Sequence, residues 1–277
     1  MYGMMAIVMG TLYLRMGYNQ STIQDRISVL FFSVAFLCFM AIAALPAFLI
    51  EREIFIRERR NAYYSVLPYA VSHWLVAIPF IFLVAIIFST FSYYMMELNP
   101  AAESFFYFLL VLAVSLVCAE GMVTAISTVV PSFIVGIAMG AGLFGMYMLV
   151  CGFFVRYSNI PKYWIWFHYI VFHKYAFEGF MVNEFAGSEF RCYPGAEVNT
   201  TDLMDTVSNV TETCVQACVC LLPDLNSDCL ISGTEVLTEY EYEDVNKWIW
   251  LAVLWGMAFV YFLLFYFSLR FLNTGER

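Results

Sequence analysis

The residues best suited to chemistry are two histidines and an acid within one aromatic stretch, 159–185. His168, His173 and Glu178 are side-chain types that serve in general acid–base catalysis. No Ser, Cys or Asp partner lies at a useful spacing, and the density of Trp, Tyr and Lys is typical of a membrane–water interface. We therefore predict that the histidines anchor the segment at that interface. No catalytic residue is assigned, and an intramembrane enzyme built on these residues is the least supported alternative.

Two further motifs lie inside apolar runs. Gly140, Gly142 and Gly145 form G-x-G-x-x-G, but a dinucleotide site would require a preceding strand. With Gly136 four residues earlier, the spacing instead predicts close packing between membrane helices.

Glu120 is the one acid well inside an apolar run. An intramembrane acid is costly, so we expect it either to contact a proton or substrate or to hydrogen-bond to a neighbouring helix.

Five of the eight cysteines cluster in one acidic stretch beside two N-x-Ser/Thr sequons. This combination indicates an oxidising compartment and disulfide bonds, with one cysteine left over. The C-x3-C-x-C spacing also fits a metal site, but no histidine lies nearby, so no metal site is predicted. The disulfide candidates are Cys192, Cys214, Cys218, Cys220 and Cys229, and the glycosylation candidates are Asn199, Asn209 and a third sequon at Asn19.

The composition describes a membrane protein. Hydrophobic residues make up 62% of the 277 residues and charged residues only 13%. Soluble proteins carry about 25% charged residues. This difference excludes a soluble globular enzyme, a disordered chain and a nucleic-acid binder. The net charge of −9 is concentrated in 184–246, where thirteen acids face one base, so one acidic loop interrupts an apolar body.

Apolar runs long enough to cross a bilayer predict an all-α membrane protein. A span needs about 20 apolar residues because the hydrocarbon core is roughly 30 Å thick. Pro131 is predicted to mark a tight turn between two spans. We predict six spans, the first of them truncated, at about 1–16, 27–50, 72–96, 104–129, 133–155 and 248–270.

The segments between the spans set the predicted topology. A fifth full span between Asn19 and Asn199 would place these sequons on opposite faces, so 159–185 is predicted to be re-entrant. The loop 186–246 would then be extracellular, and we expect the plasma membrane. Segment 51–66 would face the cytosol, as its arginines favour.

Segment 51–66 combines dense charge with an apolar stripe. As a helix, it could lie against a protein surface or the lipid headgroups, and we favour this docking role over a solvated turn. Its charged residues are Glu51, Arg52, Glu53, Arg57, Glu58, Arg59 and Arg60.

Together these features resemble the transmembrane half of the G subfamily of ABC transporters (white/brown-complex type), over essentially the whole chain. The strongest match lies within 152–185, and the second follows the charged segment. The loop 209–214 and Gly233-x-x-Val236-Leu237 resemble plant half-size members. The matching motifs are Gly152-Phe153-Phe154, Ile160-Pro161-x-Tyr-Trp164, Tyr175-x-x-Glu178, Asn183-Glu184-Phe185, Asn61-Ala62-Tyr63-Tyr64 and Pro79.

The resemblance implies a six-span ABC-2 type exporter domain that dimerises around a central cavity. A nucleotide-binding domain N-terminal to the spans would hydrolyse ATP, and the charged helix 51–66 would touch it. The re-entrant helices would cap the exit, which Phe153 and Phe154 would close where the family often has Leu-Leu. The implied substrate cavity comprises Phe32, Phe36, Phe39 and Met148, and Phe36 points to apolar, lipid-like cargo.

No G-x-x-x-x-G-K-Ser/Thr occurs, so this chain has no phosphate-cradling loop and cannot hydrolyse ATP by itself. ATP and Mg would be bound by a domain elsewhere.

The predicted function is the membrane-spanning half of an ATP-driven exporter of lipidic or other apolar molecules. Its partners would be a second half-transporter, a nucleotide-binding domain, the apolar substrate and membrane lipids, without nucleic acid. The alternative is a non-transporting scaffold or receptor subunit whose acidic, glycosylated loop binds an extracellular partner.

Overall fold

A computed structural model describes residues 2–191, 193–194, 218–219, 230–243 and 245–273. These residues form a helical bundle with two short β-ribbons. The helices are α1 (Tyr2–Leu12), α2 (Thr22–Met40), α3 (Leu45–Arg60), α4 (Val66–Met96), α5 (Ala102–Val129), α6 (Phe133–Val150), α7 (Ile165–Ile170), α8 (Phe172–Phe185), α9 (Gly233–Glu239) and α10 (Lys247–Leu272). The strands are β1 (Glu189–Arg191), β2 (Tyr193–Pro194), β3 (Cys218–Val219) and β4 (Leu230–Ser232).

Among the described residues, five helical stretches are long and apolar enough to cross a membrane. They are 22–60, α4, α5, α6 and α10, and α1 is a shorter apolar helix. A helical body of apolar spans is thereby confirmed, while the sixth crossing and the re-entrant path of 159–185 stay predictions. In that segment the chain forms 3-10 turns, then α7 and α8, which break at Val171.

The predicted span 27–50 and the charged segment 51–66 share one continuous helical stretch. A 3-10 turn, Ala41–Ala44, joins α2 to α3. Pro46 lies in the first turn of α3, where its missing N–H breaks no helical hydrogen bond. The charged helix therefore begins within the apolar run, at Leu45, and ends at Arg60, before the predicted limit.

Helix α5 forms the centre of the bundle and is buried along most of its length. Helices α2, α4, α8 and α10 pack around it. Cys38 and Cys118 lie in this core as free thiols, together with Cys151 at the end of α6. On the predicted packing stripe of α6, a Cβ at Gly136 would lie 2.7 Å from the Leu45 side chain. Glycine at this position therefore permits the close approach of α6 to α3.

Residues of the predicted outer loop form two antiparallel ribbons, which the all-α prediction does not include. Strand β1 pairs with β4 and β2 with β3, and the first ribbon reaches the turn before α2 through the bond from Gln20 N to Arg191 O. Asn19 is exposed in the turn before α2. Cys218 is described through its backbone in β3. The remaining loop candidates, Cys192, Cys214, Cys220, Cys229, Asn199 and Asn209, lie outside the described residues.

A buried ion pair connects four segments at the end of the bundle that carries this loop. Arg26 on α2 bonds the carboxylate of Glu184 at the end of α8, and both side chains are buried. The Arg26 guanidinium also donates to Glu97 O (3.1 Å) and lies 4.2 Å from the Tyr18 ring centroid. The second carboxylate oxygen of Glu184 accepts from Asn99 N at 3.0 Å. The pair thus joins the α1–α2 and α4–α5 links to α2 and α8.

We predict that Glu184→Ala destabilises the chain by about 3–5 kcal/mol, because it leaves the Arg26 charge buried and unpaired. The double variant Arg26→Met/Glu184→Met should recover only part of this loss, since Glu97 O still lacks its donor. Unfolding midpoints in lipid nanodiscs measure both effects.

The control for this prediction is Glu103→Ala, which removes a surface ion pair. The Lys247 and Glu103 side chains lie 2.8 Å apart, and that of Glu103 is 64% exposed. Loss of such an exposed pair should cost about 0–1 kcal/mol. Equal losses for Glu184→Ala and Glu103→Ala would contradict the central role of the buried pair.

Candidate functional site

Three phenylalanines form one exposed face of α2, which we call the aromatic face. Phe32, Phe36 and Phe39 are 40%, 42% and 40% exposed. Their spacing of four and three residues places them on one side of a helix. Neighbouring residues, such as Leu37 and Cys38, are buried against the bundle. The rings predicted to line a cavity therefore lie together on the surface of this single chain.

The aromatic face borders α6 along its length. The Phe39 ring lies 6.4 Å from that of Phe144, and the Phe32 ring lies 6.2 Å from that of Phe153, just beyond the end of α6. Met148 lies on α6 between those two contacts and is half-buried against the core. Phe32, Phe36 and Phe39 thus lie beside α6, the helix that carries Met148, and the shared cavity stays a prediction.

A glycine ends α6 and turns the chain toward the proposed exit gate. Gly152 has φ +110°, a conformation that side chains disfavour. A Cβ here would also lie 2.6 Å from the hydroxyl of Tyr242. Only glycine satisfies both constraints, so this position fixes the direction of the two phenylalanines that follow.

Phe153 and Phe154 have different environments. The Phe153 ring stacks on Phe31 with centroids 4.2 Å apart and planes 2° apart, and it meets Phe177 edge-on at 5.8 Å. Phe154 is 56% exposed and touches Phe31 edge-on at 5.4 Å. Phe153 is therefore held in place by packing, while Phe154 presents its ring outward.

Phe31 anchors this cluster, and sequence reasoning misses it. It is 2% exposed and contacts Phe32, Phe153, Phe154 and Phe177. It lies one position from the aromatic face and therefore points into the bundle. The only signal in the sequence is its position beside Phe32, which does not reveal the partners on α6 and α8.

The two histidines make contacts within the chain, and their predicted anchoring at the membrane–water interface stays a prediction. Both rings are buried inside the chain. His168 donates from Nδ1 to Val150 O at 2.6 Å, whereas His173 lies among the rings of Phe144, Phe172 and Tyr147. Glu178 faces Lys174, with 3.9 Å between Nζ and Oε1. The histidine contacts join α7 and α8 to α6 and give the histidines a packing role, whereas the Lys174–Glu178 pair lies within α8.

Glu120 borders a crevice of about 230 Å³ between α1, α4 and α5. Its other lining residues include Tyr2, Phe80 and Leu116, so the surroundings of the half-buried acid are largely apolar. Both predicted roles, a proton or substrate contact and a structural hydrogen bond, stay open as predictions.

The charged residues of α3 divide between two faces. Arg52 and Arg59 point into the bundle and donate to backbone carbonyls of α5 and α10. Arg57 and Arg60 are exposed, as is Glu53. One helix thus presents arginines both to the membrane bundle and to the space beyond it.

The two remaining acids of α3 contact α4 and the link that precedes it. Glu51 lies 3.8 Å from Nδ1 of His73, and Glu58 accepts a hydrogen bond from the Tyr64 hydroxyl. Partial burial, with the adjoining carboxylate, raises the pKa of Tyr64 to about 12. The phenol therefore stays protonated as a donor at neutral pH, which fixes the turn between α3 and α4.

Comparison with known proteins identifies this arrangement. The sequence model described as ABC-2 type transporter matches residues 1–185. The chain belongs to this family. The resemblance to the G subfamily is likewise confirmed by many plant relatives. As an ABC-2 membrane domain, the chain is a multi-pass membrane protein of a transporter family.

Three relatives illustrate the similarity. ABC transporter G family member 5 of Arabidopsis thaliana is 40% identical over 182 residues, which cover 66% of this chain and 28% of the relative. Member 17 of the same plant is 32% identical over 280 residues, 99% of this chain and 42% of the relative. Member STR of Petunia hybrida is 31% identical over 276 residues, 99% of this chain and 32% of the relative. The aligned part of the chain thus spans less than half of each of these relatives.

We predict that Phe31→Ala destabilises the chain by about 3–5 kcal/mol, because it empties a buried site that four rings share. Phe154→Ala should cost far less, since most of that ring is exposed. Unfolding midpoints of the two variants in the same nanodiscs test the difference. Equal midpoints would show that Phe31 does not anchor the cluster.

Proposed function

We propose that this chain is the membrane-spanning half of an ATP-driven exporter that moves lipidic or other apolar molecules. The observation that carries the proposal is the aromatic face of α2, which leaves three large apolar rings exposed beside α6. Aromatic rings offer wide apolar contact at low conformational cost. Within a transporter family, such a face is suited to line a path for apolar cargo.

In this proposal two half-transporters pair through their aromatic faces, as a homodimer or a heterodimer. The paired faces would enclose a slit lined by Phe32, Phe36 and Phe39, with Met148 at its side. Phe154, which is exposed near the same end as Phe32, would close the exit together with Phe153. Packing of Phe153 on Phe31 supports this role, because a gate needs one fixed element against which another can move.

The energy would come from a nucleotide-binding domain that binds ATP and Mg outside this chain. Its contact would be the exposed face of α3, where Arg57 and Glu53 point away from the bundle. Coverage of only 28% to 42% of the three relatives is consistent with a further domain in the full-length protein. Helix α3 would then lie in the cytosol, and the loop 186–246 outside the plasma membrane.

Transport would proceed by alternating access. ATP binding would close the nucleotide-binding domains, and α3 would pass that movement to the spans. A cargo can bias such a switch only by binding one state more tightly than the other. The aromatic slit would therefore bind apolar cargo more strongly when it opens inward.

We predict that Phe39→Ala weakens the apparent affinity for an apolar cargo by roughly ten- to hundredfold, because burying such a ring contributes about 1.5–3 kcal/mol. The measurement is ATP-dependent movement of a fluorescent lipid in proteoliposomes that contain the full-length protein. The matched control is Phe259→Ala, which removes an exposed phenylalanine of α10 and should leave the affinity unchanged.

Two outcomes would count against the proposal. Absence of ATP-dependent movement in the wild type, together with binding of an extracellular partner, would favour the scaffold. Equal effects of Phe39→Ala and Phe259→Ala would remove the aromatic face from the cargo path while leaving export possible.

A further inference from the structure

We infer that Arg52 and Arg59 are positioning residues that bind α3 to the ends of α5 and α10, so that the three helices move as one unit. The inference rests on the proposed function, because it states how movement of α3 would reach the spans. It concerns the face of α3 that points into the bundle, and not the exposed face proposed to meet the nucleotide-binding domain.

Arg52 caps the end of α5. Its Nη1 donates to Ser127 O at 2.6 Å and to Val130 O at 2.9 Å. The last carbonyls of a helix have no partner within the helix, and they carry the negative end of its dipole. A guanidinium satisfies both the geometry and the charge at this position.

Arg59 caps the end of α10 in the same way. Its Nη1 donates to Leu269 O (2.8 Å) and Asn273 O (3.1 Å), and its Nη2 donates to Arg270 O (3.2 Å). One guanidinium donates to three carbonyls at once, which its planar set of N–H donors permits and a lysine ammonium does not. The partners are backbone atoms, so the contact holds the helix itself and not a flexible side chain.

A third residue, Asn273, joins the ends of α5 and α10 to each other. The side-chain amide of Asn273 donates to Thr128 O on α5 at 3.1 Å and to Ser268 O on α10 at 3.3 Å. Because Asn273 is buried, its bonds gain from the low dielectric around them. The ends of α5 and α10 are thus joined to each other as well as to α3. We call Arg52, Arg59 and Asn273 the helix-end clamp.

The spacing on α3 explains why these two arginines differ from Arg57. Residues 52 and 59 are two helical turns apart and share a face. Between them Phe55 stacks on Tyr69 of α4, with centroids 4.3 Å apart. This face is therefore fastened along its length by one ring and two guanidinium groups, while Arg57 lies exposed on another side.

Such a clamp would deliver one movement to two spans. Helix α5 is the centre of the bundle and α10 packs along it. A displacement of α3 would therefore reach the core through α5 and α10, in addition to α2 and its aromatic face, with which α3 is continuous. Without the clamp, α3 could tilt while α5 and α10 stay in place.

The first test compares Arg59→Gln and Arg59→Lys with wild type in the full-length protein. Cargo moved per ATP hydrolysed should fall about tenfold in Arg59→Gln, the loss expected when bonds from a charged donor are removed, while ATP hydrolysis continues. The amount of cargo moved per ATP by Arg59→Lys should lie between those of wild type and Arg59→Gln, because the lysine ammonium keeps the positive charge but lacks the planar set of N–H donors of a guanidinium. The control is Arg270→Gln, which changes an exposed side chain at the same end and leaves the backbone carbonyl that Arg59 contacts in place, so it should match wild type.

The second test needs no change in the clamp. Spin labels on the exposed positions Ile54→Cys of α3 and Phe271→Cys of α10 report the distance between these two helices, and Ile54→Cys alone reports the distance between the α3 helices of two paired copies. With nucleotide, the first distance should stay constant while the second changes. This measurement decides the matter if Arg59→Gln does not fold.

The outcomes separate the two proposals. A wild type without ATP-driven movement overturns the proposed function, and the inference with it. A wild type that transports, with a nucleotide-dependent change in the α3–α10 distance, overturns the inference alone. An unchanged amount of cargo moved per ATP hydrolysed in a folded Arg59→Gln protein also overturns the inference alone.

Discussion

The structure depends on one constraint: the carbonyls at the ends of apolar helices must find donors where little water is available. Arginines on the continuous stretch 22–60 meet this need at both ends of the bundle. Arg26 donates to Glu97 O, at the end of α4, while Arg52 and Arg59 donate at the ends of α5 and α10. A single helical stretch thereby holds three spans.

This arrangement explains how one stretch can combine fixed and exposed surfaces. The arginines and Phe31 point inward and hold α2 and α3 to the bundle. The aromatic face, one position away from Phe31, is then left partly exposed beside α6. In the proposed exporter that face belongs to the path of the cargo, and the fixed residues keep it in register with α6 and the gate at Phe153.

Much of the helical body could be predicted from the sequence, because the length of an apolar run is enough to identify a helix that can cross a membrane. Pro131 separates α5 from α6 as expected, since proline cannot continue the hydrogen-bond ladder. The roles of individual arginines could not be predicted. The positive-inside rule treats Arg52 and Arg57 alike, whereas one caps α5 and the other lies exposed. Partners far apart in sequence, such as Arg26 and Glu184, leave no local pattern.

The most direct test of the account is whether two aromatic faces meet. In the full-length protein, Phe36→Cys on both copies should be joined by a short bifunctional thiol reagent without nucleotide, and the yield should change when ATP and Mg are added. Phe259→Cys on α10 serves as the control and should give little crosslinked dimer in either state. Crosslinking at Phe36 that is absent in both states, or no greater than at Phe259, would contradict a paired cargo path along α2.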